Sequence, residues 1–258
     1  MPSTYAHRRF GEQVTALLPP RARRSARQFR RLYDVGLHGP DIFFYHNILF
    51  KDRIVSLAKD THALSGQAFF TGVCAKLRQT PNEAALAYLY GVLAHYCLDS
   101  VVHPFVLEQS ADGKVGHTEM ETEFDRYLLQ LDGKRRGDTA GDGEGLKLTG
   151  GECRAVSEFY DIGSLAVRSS VKRMAFWDRV TSMPGGTMRK IMEKCAGKKL
   201  RAFFISRTPN PNCQHLNEPM MNLYNRALEI FPAMVEALTA HLEQEVPLGE
   251  LFKARFSG

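Results

Sequence analysis

Cysteine is scarce and poorly arranged for structural use. Cys74, Cys97, Cys153, Cys195 and Cys213 are an odd number with no Cys-x2-Cys pair. That argues against both a disulfide framework and a thiolate zinc site. Tryptophan is rarer still, with Trp177 alone. No convincing alternation of apolar and polar residues marks a strand, and no apolar run approaches the ~20 residues of a membrane span. The opening Met-Pro-Ser-Thr-Tyr-Ala-His-Arg-Arg-Phe lacks the apolar core of a secretory signal. Together these absences predict a cytoplasmic protein with no transmembrane segment. What is present is globular in character, with 44% hydrophobic and 10% aromatic residues in a chain of 258. A formal charge of +6 and a pI near 9.1 point to an anionic partner: phospholipid head groups, nucleic acid or phosphorylated substrates.

Helical periodicity dominates and predicts an all-α, multi-helix bundle in one domain over 1–258. Thr4 to Leu18 reads as a first helix, stopped by Pro19-Pro20, and Arg21 to Val35 as a very basic second one ending at Gly36. Asp52 through Lys76 fits a long helix that tolerates Gly66 and Gly72. Asn82 is a good N-cap for the next, expected to break or kink near Pro104, so that Glu108 need not be helical. Thr118 to Leu131 follows, then a polar, glycine-rich loop, expected to be mobile, over about 132–150. C-terminal helices fill 152–258: one or two over Glu152–Trp177, another over Gly186–Phe204 and a last over Glu218–Glu245.

The chemistry concentrates on one stripe. His95, Asp99 and His103 recur four apart, and His117 and Glu121 repeat that step. Residues four apart share a helix face, about 5–6 Å between Cβ atoms. Imidazole nitrogen and carboxylate oxygen are ligands for zinc and its neighbours. The run Ala84-Ala85-Leu86-Ala87-Tyr88-Leu89-Tyr90-Gly91-Val92-Leu93-Ala94 before His95 is otherwise apolar. Ionisable groups buried there need compensation. With 9 His and 28 acidic residues, about one His-x3-acid pair arises by chance, whereas two pairs with a third His in register exceed that. On an unbroken helix His95 and His103 lie about 12 Å apart along the axis. They would therefore serve different ions, with Asp99 between them able to bridge a multinuclear site.

His95-Tyr96-Cys97-Leu98-Asp99, then His103, then His117-x3-Glu121 resembles the zinc-dependent phospholipase C family. Asp41 in its aromatic segment, His62 and His7 look like the family's earlier ligands, so the resemblance covers roughly residues 1–130, the metal-site half. It implies an all-α bundle of the kind shared with trinuclear single-strand nucleases, holding two or three zinc ions. His103, His117 and Glu121 would hold one ion; Asp41, His62, His95 and Asp99 a second. His7 and Asp99 would hold a third that the family completes with its amino-terminal residue. The implied reaction is phosphodiester hydrolysis of a phospholipid by a metal-activated water, with Asp41 the candidate to orient or deprotonate it. The chain departs from the family in having Pro104 after His103 rather than before it, and no N-terminal Trp.

The remaining features have plainer readings. Arg21, Arg23, Arg24, Arg27, Arg30 and Arg31 read first as a solvated helix face and second as a peripheral contact with anionic membrane or, less favoured, nucleic acid. Phe43-Phe44-Tyr45 and Ile48-Leu49-Phe50 read first as core and second as an interfacial acyl-chain contact. His38 and His46 flank Asp41 as alternative ligands, His215 and His241 as surface residues, and Cys97 as packing. The favoured function is a zinc-dependent phosphodiesterase on phospholipid. A single-strand nuclease is the second reading, and a non-catalytic helical module stapled by metal the third.

Overall fold

The computed structural model describes residues 4–48, 50–135, 147–182, 197 and 201–256. The expected helix over 186–204 and the centre of the glycine-rich loop fall largely outside them. In chain order the helices are α1 (Thr4–Val14), α2 (Pro20–Gln28), α3 (Arg30–Gly36), α4 (Arg53–Ala63) and α5 (Gly66–Gln79). They continue with α6 (Glu83–Ser110), α7 (His117–Leu131), α8 (Gly150–Tyr160), α9 (Ser164–Thr181) and α10 (Asn217–Gln244). A 3-10 segment, Gly39–His46, links α3 towards α4. The only pairing of extended backbone among the described residues is an isolated bridge between Ser65 and Arg255, so the all-α expectation holds.

Everything is arranged around α6. Asn82 caps it, its side-chain oxygen accepting from the amides of Ala84 (3.0 Å) and Ala85 (3.2 Å). By length and composition α6 would suit a membrane, which corrects the expectation that no stretch does, yet 89% of its apolar window is buried inside the protein. It is the central helix of the bundle, contacted by α1, α2, α3, α7, α8 and α10. The helix runs through Pro104 to Ser110 without the expected break, and Glu108 lies within it. Pro104 is on the exposed side, while Val102, His103 and Val106 around it are buried and hold the segment in place.

Two other expected helices divide. The basic helix breaks at Phe29 (φ −110°, ψ 48°) into α2 and α3, which lets α3 lie across α6. There Gly36 meets Gly91 backbone to backbone: a Cβ on Gly91 would sit 2.4 Å from the Tyr33 carbonyl oxygen. The helix expected from Asp52 to Lys76 stops at Leu64, and Ser65 caps α5 through the Ala68 amide (3.2 Å). Gly66 then donates to the Ala254 carbonyl (2.9 Å), which brings the chain's last turn, with Phe252 and Phe256 fully buried, against α5 and α6.

Four described cysteines are free and buried, and Cys97 packs with its sulfur towards the Ala227 carbonyl. Phe43 and Tyr45 are core as expected, but Phe50 is 72% exposed. His215 is exposed as expected, whereas His241 is buried. Its Nδ1 donates to the Val246 carbonyl at 2.8 Å, which satisfies the chain as it leaves the left-handed cap at Glu245.

Candidate metal centre

α6 supplies three ligand candidates at four-residue spacing, and the helices around it supply the rest. Asp99 is the hub. One oxygen lies 3.1 Å from His7 Nε2 and 3.8 Å from His103 Nε2; the other lies 3.2 Å from His95 Nε2. Asp41, from the 3-10 segment, approaches His62 Nε2 at 3.0 Å. On the far side of Asp99, His103 (3.2 Å) and His117 (3.0 Å) converge on the same Glu121 oxygen. Two groups result, Asp41–His62–His95–Asp99 and His103–His117–Glu121, each with ligand atoms within 4.8 Å of one another. All eight candidate residues thus come together. His46 does not join them; it pairs instead with Asp52 (2.8 Å), the N-cap of α4. His38 belongs to neither group, though burial and then the nearby His7 and His95 push its ring down to about 3.

Local structure fixes each ring. His62 Nδ1 lies 2.6 Å from the Ala58 carbonyl oxygen, which orients the ring so that Nε2 faces Asp41. His7 rides on α1, whose first amides are bound by a side chain from α7: Asp125 accepts from Tyr5 (3.1 Å) and Ala6 (2.8 Å). The His7 ring stacks on His95 at 4.5 Å between centroids. His95 lies against Gly39, whose φ of +48° suits glycine and where a Cβ would come within 2.5 Å of the imidazole. Phe256, from the far end of the chain, backs both His62 and His95 at 6.3 Å. Gly39, Asp125 and Phe256 were not legible as site residues, since their roles arise only from contacts between distant segments.

The electrostatics suit a cation. Burial alone would raise Asp99, but His103, His95 and His7 hold its carboxyl below the usual range. Asp41 is likewise held well below it, burial being outweighed by surrounding positive charge and by His62. Burial pushes His95 down to about 4, so its ring is neutral at physiological pH, the state a metal-binding imidazole needs. His95 is fully buried, and neither of its nitrogens has a hydrogen-bond partner among the described residues. Nor does the Asp99 oxygen 3.2 Å from it. An unsatisfied buried polar atom costs about 1–3 kcal/mol. A buried imidazole nitrogen and a carboxylate oxygen that converge without hydrogen-bonding each other fit a shared metal ion, and the oxygen–nitrogen donor set fits zinc.

The model of the family described as zinc dependent phospholipase C matches residues 6–155. The chain belongs to the zinc-dependent phospholipase C family. Neither a curated protein nor a solved structure gives a match. The matched span contains both ligand groups of this phospholipase C family member and ends within α8, so α9, α10 and the Phe256 backing lie beyond it.

The centre is open on one side. Six of the seven residues in the two groups are buried, whereas the His117 side chain is 28% exposed. It faces a groove of about 680 Å³ lined also by Lys114, Arg201, Phe203 and Phe204. A narrower cavity lined by Tyr45, Ile48 and Trp177 shares Thr122, Phe203 and Phe204 with that groove.

Proposed function

We propose that this chain is a zinc-dependent phosphodiester hydrolase acting on phospholipid. The observation that carries the reading is the pair of buried ligand groups joined by Asp99 and open at His117 to a groove walled by Phe203 and Phe204, with Lys114 and Arg201 beside Glu119 and Glu123. Asp41, His62, His95 and Asp99 would hold one zinc ion, and His103, His117 and Glu121 another. His7 and Asp99 would begin a third position, whose amino-terminal completion lies outside the described residues. Zinc, when bound, supplies Lewis acidity, polarising phosphoryl oxygen and making water more acidic.

The chain's own residues do the rest. Asp41 stays ionised, which makes it a proton acceptor of low basicity, better suited to orienting the attacking water than to keeping its proton. Lys114 and Arg201 line the groove where a phosphodiester would lie and complement its charge. Tyr45 remains protonated, burial first and then nearby carboxylates raising its phenol, so it can donate to substrate entering from the cavity. An opening at His117 favours catalysis over a purely structural centre, which protein ligands would close.

The aromatic groove walls Phe203 and Phe204 would also take a single strand by stacking, which keeps the nuclease reading in view. The deciding assay offers zinc-loaded protein phosphatidylcholine, bis-nitrophenyl phosphate and single-stranded DNA side by side. Hydrolysis of the first two, abolished by chelation, is expected. Preferential cleavage of DNA would select the nuclease; zinc bound with no hydrolysis of any substrate would leave only the stapled module.

A further inference from the structure

We propose that the exposed face of α9 docks on an anionic phospholipid surface. Leu165, Arg168, Lys172, Phe176 and Arg179 recur at steps of three and four and share one stripe of the helix. All are exposed, Leu165 by 77% and Phe176 by 57%, with exposed Arg173 beside them. The opposite face is core: Val167, Ser170, Val171 and Met174 are buried. Four basic residues stand against one acid on this helix, and that acid, Asp178, accepts from Thr4 at 3.1 Å. Among the described residues no ion pair engages Lys172, Arg173 or Arg179.

Bulky apolar side chains set within a cationic stripe are the pattern of a helix lying in a membrane interface. The arginines of α2 and α3 make a weaker case. Arg21 pairs with Glu83 and Arg30 with Asp34, and the apolar residues of both helices are buried rather than presented. Position supports α9 as well. Phe176 packs edge-on against Trp177 (5.4 Å), which lines the cavity that shares walls with the His117 groove. Docking there brings the mouth of the candidate centre to the lipid head groups.

Choosing lipid over other polyanions rests on the phosphodiesterase reading, but binding involves no turnover, so the two stand or fall separately. Trp177 is the sole tryptophan and reports on its own surroundings. Full-length protein is titrated with vesicles of phosphatidylcholine alone and of an equal mixture with phosphatidylserine. A blue shift and quenching by brominated lipid are expected with the mixture, weakening as salt rises. Each basic residue near an anionic surface is worth about five-fold in partitioning, so Lys172→Glu/Arg173→Glu should cost at least about 25-fold. Phe176→Ala should weaken it further. Lys172→Gln/Arg173→Gln repeats the test if charge reversal disturbs folding.

Three results would overturn the proposal. The wild type could ignore the mixed vesicles. The α9 variants could bind as tightly as wild type while Arg24→Glu/Arg27→Glu abolishes binding. Or single-stranded DNA alone could be bound through Lys172 and Arg173, assigning this face to nucleic acid.

Discussion

Replacing Asp99 with Asn keeps the size of the side chain and removes the charge that His7, His95 and His103 share. Because one carboxylate touches both ligand groups, we expect Asp99→Asn to lose more than one zinc equivalent by elemental analysis. Phosphodiesterase activity should fall by at least about 100-fold, the upper end of what losing a single outer-shell partner does. Full zinc content in the mutant would refute the bridge.

The same residues set a pH dependence in metal-free protein. Asp41, Asp99 and Glu121 are depressed in the fold, so their contribution is present above the ordinary carboxylate pKa of about 4 and is lost as pH falls further. His7 and His103 are raised: burial opposes this, but it is outweighed at His7 by Asp99 with Asp41 and at His103 by Asp99 together with Glu121. Their contribution is complete below about 6.5 and is lost as pH rises through their folded values. His95, lowered to about 4, and His38, lowered to about 3, cost stability as pH falls below about 6.5, a range in which the contribution of the raised pair is already complete. Thermal melts with chelator should therefore peak in mildly acid buffer, and zinc, which needs deprotonated imidazoles, should move the peak towards neutral pH. At this scale the candidates His95, Asp99, His103, His117 and Glu121 were legible because helical spacing and an apolar context announce them, whereas His7, Asp41 and His62 came only with the family resemblance. Gly39 and Asp125 were not, because each matters only through a residue on another element.

Among the elements, the crossing of α3 and α6 sets where His95 stands. Gly36 and Gly91 let the two backbones touch, and neither has room for a methyl group, a Cβ on Gly36 meeting the Tyr88 carbonyl oxygen at 2.6 Å. Gly91→Ala must push α3 away, at the ~1–3 kcal/mol typical of overpacking. Urea denaturation should show a lower midpoint with unchanged slope; an unaltered midpoint would mean the crossing is looser than these distances imply. The type of each element followed from periodicity, but its ends did not. Phe29 breaks a helix that local propensity would continue, because α3 gains more by packing across α6. Pro104 fails to break one, because buried residues on both sides of it hold α6 straight through.

For the whole molecule, zinc is expected to act as a cross-brace between α1, α4, α6, α7 and the 3-10 segment. At about 1,000 times Kd a ligand stabilises by roughly 4 kcal/mol. At about 2–4 °C per kcal/mol for a chain of this size, removing one ion should lower Tm by about 8–16 °C.

The chain's end takes part in the same architecture. Phe256 and Phe252 are both fully buried beside Tyr96 and Phe70, but only Phe256 also contacts the His62 and His95 rings. Truncating either removes a buried aromatic, with a cost of about 3–5 kcal/mol in a rigid core. Their effects on metal should differ. Phe256→Ala lets water reach the back of two imidazoles and frees their orientation, so zinc affinity should drop by about 10–100-fold, the range for outer-shell changes. Phe252→Ala should lower Tm comparably and leave zinc affinity near wild type. Competition titration against a zinc-chelating dye, run on both variants below their melting temperatures, separates the two. Equal affinities would mean that the C-terminal turn supports the fold without shaping the metal centre.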